Sequence, residues 1–177
     1  MTVHLHFDGA AKGTVEKVEI DITTVIAGGR KVLVDRLSQA ETIGSTAGLM
    51  VEPVLVGAAD RLWLTIGAVS PSVYPIARHA WRFEEIESQW DRVILRSFSG
   101  RQIFQEGLLA ALGPPRDLIV RRTGSKRLSV GVALFCGPLP GAGSLPAGPD
   151  IAIELEDPVL GRKLVHGYEV KLPPVAP

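Results

Sequence analysis

Turn-forming residues punctuate this chain from end to end: 19 of its 177 residues are glycine and 13 are proline. Together they make about 18% of the sequence, against roughly 12% in an average protein. With 46% apolar residues the chain is not of disordered composition. That combination predicts many short strands with frequent turns, a mostly β (α+β) fold carrying two or three short helices. Length fits one domain, in which folding buries roughly two-thirds of the surface of the unfolded chain.

The apolar pattern fills in the elements. Thr2–Phe7 and Val15–Ile22 alternate with period two around the turn-rich 8–13 stretch and predict an opening hairpin. The spacing of Val32, Leu33, Leu37 and Ala40 predicts a short helix over Arg30–Glu41, ended by Gly44. Met50–Val56 and Arg61–Ile66 form a second hairpin, and Phe83–Trp90 a helix with an acidic start. Arg92–Ser97 and Arg101–Gln105 flank Ser99-Gly100 as a third hairpin, and Gly107–Leu112 reads as a short helix. Asp117–Arg121 fits a helical turn or a strand. Ser129–Phe135 has the continuous β-rich composition of a buried strand. Ile151–Glu156 and Lys163–Val170 close the chain as a fourth hairpin, followed by a tail expected to fray. The whole of 1–177 reads as one domain: an N-terminal hairpin over 1–29, a core over 30–172 and the tail over 173–177.

Charge and cysteine content exclude several classes. Lys plus Arg and Asp plus Glu tie at 19 each, so the electrostatic footprint of a nucleic-acid or anionic-membrane partner is missing. A single cysteine forms no internal disulfide and no cysteine-based zinc site, which suits a reducing compartment. The first residues lack the basic and apolar regions of a signal peptide, and no apolar run approaches the ~20 residues of a membrane helix. The expectation is a cytoplasmic protein with no nucleic-acid or membrane partner.

Catalytic signatures are scarce. There is no G-x-S-x-G elbow, P-loop, G-x-G-x-x-G after a strand, or H-E-x-x-H. His4 and His6 share a strand face but lack a third ligand nearby, and His79 and His166 have no triad-like neighbours. Cys136 has no local base or cation to activate it, and reads as a core thiol. Glu84, Glu85 and Glu87 complement a helix start, and Glu154 and Glu156 face outward from a strand. Trp63, Trp81 and Trp90 read as core anchors. Two places stand apart. Glu52 is a carboxylate inside an otherwise apolar strand, which costs energy unless it faces water, a partner or a metal. Gln105-Glu106-Gly107 sets polar groups just before an apolar helix. No catalytic residue is assigned.

Four segments carry a resemblance: MVEPVLVGAADRLWLTIG, WRFEEIESQWDRVILRSF, RQIFQEGLLAALGPP, and ALFCGPLP followed by IAIELEDPVLGRKLVHGYEV. Taken in order they resemble a bacterial domain family of unknown function related to the fumarylacetoacetate hydrolase superfamily. The resemblance covers most of the chain from about Arg30 onward. It implies a β-sandwich-like roll, assembly as a homodimer, and cleavage or decarboxylation of an acidic 2-oxo or 1,3-diketo substrate. It also implies Mg²⁺ or Mn²⁺ held by a Glu-x-Glu strand and a later Asp, chelating the substrate oxygens and stabilising an enolate. On this chain it marks Glu52 as the metal-ligand position. Gln105, Glu106, Gly107, Cys136 and Gly137 are its substrate-binding positions.

The sequence departs from that pattern at the site itself. The first carboxylate of the pair is Met50, leaving Glu52 alone. The stretch that should bring the third ligand and a lysine is shortened to AVSPSVYPIA, and an expected Gly-Thr is Gly137-Pro138. Losing two of three charged ligands weakens a hard-cation site by roughly several kcal/mol. Three readings follow: a scaffold with lost or weakened metal chemistry that binds a small carboxylate or 2-oxo acid, an active metal-dependent hydrolase or lyase using Glu52, Glu106 and water, and a non-catalytic interaction module.

Overall fold

The β-rich runs become fifteen strands in the computed structural model, which describes residues 1–8, 15–44, 48–145 and 150–170. They are β1 (Thr2–Asp8), β2 (Val15–Asp21), β3 (Thr24–Ala27), β4 (Arg30–Val32), β5 (Leu37–Ser38), β6 (Thr42–Ile43), β7 (Met50–Gly57) and β8 (Leu62–Val69). After them come β9 (Tyr74–Pro75), β10 (His79–Arg82), β11 (Ile94–Ser99), β12 (Gln102–Leu108), β13 (Val132–Phe135), β14 (Asp150–Asp157) and β15 (Arg162–Val170). Two short α-helices, α1 (Phe83–Ile86) and α2 (Pro115–Thr123), and three 3-10 turns complete the described elements. The fold is mostly β with short helices, as the turn density requires.

An eight-stranded sheet runs β2-β1-β10-β8-β7-β13-β3-β4, and a five-stranded sheet runs β12-β11-β14-β15-β6. The pair β5-β9 stands apart. Strand parity sorts the apolar side chains of the larger sheet into two cores. Val54 and Val56 of β7, Trp63 of β8 and Phe135 of β13 pack with Val3, Leu5 and Phe7 of β1 and with Val25 of β3. Residues from both ends of one sheet meet in this cluster, so the sheet curls around it. On the opposite face, Val51, Leu55, Leu64, Ile66 and Leu134 pack against Leu95, Ile153, Leu155 and Leu164 of the smaller sheet and against Leu118 and Ile119 of α2. Because β7, β8 and β13 are buried on both faces, their sequences are nearly continuous apolar runs rather than alternating ones.

The four hairpins form as expected, all antiparallel, with a bulge in the third between Ser97 and Phe98. The 9–14 turn of the first and the tail beyond Val170 lie outside the described residues. The helix expected over Arg30–Glu41 does not form. Gly28 and Gly29, at φ 58° and 76°, make a two-residue turn that returns β4 antiparallel onto β3. A single 3-10 turn, Val34–Arg36, then leads into β5, and Leu33 is exposed instead of lining a helical face. The segment over Phe83–Trp90 is helical only to Ile86 and continues as a 3-10 turn over Glu87–Arg92. The ambiguous Asp117–Arg121 stretch is helical: Pro115 pre-sets the first turn of α2, and Gly124, at φ 72°, caps its end.

The stretch after β8 is closed by local bonds. The Ser70 hydroxyl accepts from the Val73 N–H at 3.0 Å and donates to the Val73 carbonyl at 2.8 Å. β9 then pairs with β5, and Ile76 bridges back to Gly67. A Cβ on Gly67 would lie 2.6 Å from the Pro75 carbonyl oxygen and 3.1 Å from the Phe135 ring. Gly67→Ala is therefore expected to cost about 1–3 kcal/mol through overpacking. Denaturant unfolding reads this directly, and an unchanged midpoint would contradict the close approach.

Candidate functional site

Glu52 points from β7 toward the interior of the curled sheet, on the same face as Val54 and Val56. Its cross-strand partner on β8 is Gly67. On the other side, just past the end of β13, the Gly137 N–H donates to the Glu52 carboxylate at 2.9 Å. The carboxylate thus lies between two glycines, of which Gly67 leaves room for the Pro75 carbonyl and the Phe135 ring and Gly137 for the Arg122 guanidinium. The residue is 4% exposed. Gly137 has φ 106°, a backbone shape that favours glycine, so the residue type is tied to the loop that makes this bond.

Burial pushes the Glu52 carboxyl up from 4.5 to about 7. The Gly137 N–H and the positive charge of Arg122 work against that rise without cancelling it. A carboxyl poised near neutrality can hold or release a proton under physiological conditions, as general acid–base chemistry requires.

Arg122 comes from the last turn of α2, seventy residues from Glu52 in sequence. Its guanidinium is laid between two glycines of positive φ. A Cβ on Gly29 would lie 3.3 Å from Nη1, and one on Gly137 would lie 3.0 Å from Nη2. Arg122 is half-buried. The arrangement offers a planar donor fork beside a backbone N–H and a titratable carboxyl. Sequence reasoning missed Arg122, because nothing in the local pattern links it to Glu52.

The candidate residues divide. Glu52 and Gly137 are brought together. Cys136 adjoins them in sequence, but its thiol lies on the opposite face among the apolar residues, 1% exposed, with the S–H donating weakly to the Leu134 carbonyl at 3.8 Å. Burial, and then the charge of Glu52, push that thiol far above its ordinary range, so it is held protonated. Gly107 faces inward from β12, where a Cβ would meet Leu139 at 2.8 Å, so β12 packs against the loop that carries Gly137. Gln105 also faces inward, opposite Ser97, and its buried Nε2 has no hydrogen-bond partner among the described residues.

Glu106 points the other way. It pairs with Arg96, which also holds Glu154 (2.8 Å) and Glu156, and Lys163 joins both of those carboxylates at 3.2 and 3.5 Å. These contacts lie on the outer face of the smaller sheet and hold the Glu156 carboxyl below its usual range, chiefly through Arg96. One residue of strand parity therefore separates Glu106 from Gln105 and Gly107.

This donor set does not fit Mg²⁺ or Mn²⁺. Such ions take several oxygen ligands, whereas Glu52 has an N–H directed at it, a guanidinium nearby, and the Met50 thioether two residues away on the same face. Among the described residues no group of three His, Cys, Asp or Glu side chains is placed to hold a metal.

The matches to known proteins bear on the family and the fold. The family described as "Protein of unknown function (DUF2848)" matches residues 69–168, more than half of the chain. The chain belongs to the DUF2848 family. Gln105, Gly107, Arg122, Cys136 and Gly137 lie inside the matched segment, and Glu52 lies outside it. An Escherichia coli protein described as "Putative Isomerase" shares the fold, with a TM-score of 0.56 at 12% identity over 96% of this chain and 92% of that one. At that identity the likeness is one of fold alone. No curated protein matches the DUF2848 chain. The expectation of a family of unknown function is met, while neither match bears the fumarylacetoacetate hydrolase name. Among the described residues, no helix is long and apolar enough to cross a membrane.

The Glu52 carboxyl binds its proton more tightly in the folded chain than in the unfolded one. Its contribution to stability is complete below about pH 4.5 and is lost as pH rises through about 7. Glu52→Gln keeps an oxygen for the Gly137 N–H but does not ionise. Between pH 4.5 and 8, wild type should lose roughly 3 kcal/mol relative to this variant. Parallel thermal or urea unfolding of the two proteins checks it, and identical pH profiles would contradict the buried carboxyl.

Proposed function

We propose that this DUF2848 chain is a divergent fumarylacetoacetate hydrolase-like domain. On this reading it has lost or weakened the metal-dependent chemistry and binds a small carboxylate or 2-oxo acid. The observation that carries the reading is the pairing of a buried, near-neutral Glu52 with the Gly137 N–H and the Arg122 fork. A guanidinium recognises a carboxylate through two parallel hydrogen bonds. A protonated Glu52 donates to a second ligand oxygen, such as a 2-oxo group, and the apolar interior beyond it excludes water. Gln105, whose inward amide is unpartnered, and Gly107 lie on the strand that backs the same loop.

The runner-up is an active enzyme acting on a 2-oxo or 1,3-diketo acid. The specific observation in its favour is again the carboxyl near pH 7, which suits proton transfer next to a carbonyl. The fold shared with a protein described as an isomerase is compatible with it. Both readings keep a single domain, a cytoplasmic setting and a homodimer, the last covering exposed strand edges.

Calorimetric titration separates the readings. Pyruvate or oxaloacetate should bind without added metal, and Arg122→Gln should weaken binding by about tenfold or more, the loss of a charge-assisted pair. Mg²⁺ and Mn²⁺ should show no site tighter than about millimolar. Micromolar metal binding abolished by Glu52→Gln would overturn the metal-poor reading in favour of an active metalloenzyme.

A further inference from the structure

A second groove, independent of Glu52, carries an unbalanced positive charge. It lies between the β3–β4 hairpin and the segment that follows α2, with a volume of about 320 Å³. Lys31 and Arg127 line it together with hydroxyl-bearing residues, among them Thr24, Thr123, Ser125 and Ser129, and no carboxylate does. The chain as a whole is neutral, and two of the cations that line the neighbouring groove, Arg61 and Arg116, are matched by carboxylates. Among the described residues Arg61, Arg82, Arg96, Arg116, Arg162 and Lys163 all have carboxylates within 4 Å, and neither Lys31 nor Arg127 does. Two cations without carboxylate partners, beside the hydroxyls of Thr24, Ser125 and Ser129, suit a compact, doubly charged oxyanion.

Local bonds fix one wall of it. The Thr123 hydroxyl donates to the Ile119 carbonyl at 2.7 Å and accepts from the Ser125 N–H at 3.1 Å. The Ser125 hydroxyl then accepts from the Arg127 N–H at 3.2 Å. These contacts hold the backbone of Arg127 across from Lys31, which β4 places opposite Ile26 in the hairpin.

A larger groove of about 650 Å³ lies beside it, and the two share the 127–130 segment. Apart from Arg127, the charges of the larger groove are already paired. Arg61 meets Asp60 and Glu84, while Arg116 meets Glu87 and stacks over the Phe83 ring at 5.0 Å. Its unpaired lining is apolar, including Ala58, Leu62 and Leu128. Charge and shape thus divide a ligand into an anionic head and an apolar body.

We propose that the paired grooves bind a small phosphomonoester, with its phosphate between Lys31 and Arg127 and its organic group along the Phe83 side. A phosphate monoester is close to dianionic above about pH 7 and offers three acceptor oxygens, which matches two cations and the hydroxyls of Thr24, Ser125 and Ser129.

Titration of the full chain with inorganic phosphate and with phenyl phosphate, at pH 7.5 and low salt, tests the assignment. Phenyl phosphate should bind saturably and more tightly than inorganic phosphate. Arg127→Gln and Lys31→Gln should each weaken it by about tenfold. Lys126→Gln, which changes an exposed cation outside both grooves, should leave it unchanged. Circular dichroism and unfolding midpoints confirm that the variants fold. Absence of saturable binding overturns the proposal, as does an equal loss in Lys126→Gln, which would mark diffuse charge attraction. Phenyl phosphate binding no tighter than inorganic phosphate overturns the assignment of the organic group. Because Glu52 and Arg122 take no part, failure here leaves the carboxylate reading of the other site standing.

Discussion

One hydrogen bond, from the Gly137 N–H to the Glu52 carboxylate, ties residues 85 apart in sequence and sets the character of everything near it. It forms where two strands buried on both faces reach the end of their pairing, so the carboxylate is withdrawn from water while keeping one polar partner. Desolvation of a carboxylate costs several kcal/mol unless it is compensated. The chain supplies three partial remedies: the N–H, the Arg122 charge, and a pKa near neutrality that lets the group hold its proton. Gly67, opposite Glu52, leaves room for the Pro75 carbonyl and the Phe135 ring, and glycines at 29 and 137 leave room for the Arg122 guanidinium.

The surrounding fold explains why this site is separate from the other charged cluster. The curled eight-stranded sheet encloses one core and packs its opposite face on the smaller sheet. Glu52 belongs to the enclosed side. Arg96, Glu106, Glu154, Glu156 and Lys163 belong to the outer face of the smaller sheet, where they neutralise one another. An ion network of that kind orients side chains but spends its carboxylates on arginine and lysine, leaving none for a metal.

Much of the frame is legible in the sequence, because hairpins announce themselves through alternation and turn residues. The β7–β8 and β14–β15 pairs are read almost to their ends. The Arg30–Glu41 stretch misleads because β4 and β5 are only three and two residues long, too short to show a period of two, while Val32, Leu33 and Leu37 happen to fall at helical spacing. The decisive signal there is the Gly28-Gly29 pair, a turn and not a linker. At the site, Glu52 is visible as a charge in an apolar strand. Arg122 is not, since its approach depends on how α2 packs. The opposite facing of Glu106 follows from strand parity once β12 is known to extend through Leu108. The helix expected over Gly107–Leu112 hid it, since β12 takes Gly107 and Leu108 and only a 3-10 turn, Leu109–Leu112, follows.

The central claim is that Glu52 is a buried carboxyl with a near-neutral pKa, bonded to a backbone N–H and subject to the charge of Arg122. Carbon-13 NMR of the glutamate side-chain carboxyls across pH 3–9, with Glu52 assigned through Glu52→Gln, measures this most directly. The account predicts one resonance that titrates near 7, unshifted by millimolar Mg²⁺. Titration of that resonance at or below about 4.5, the ordinary glutamate range, would contradict it.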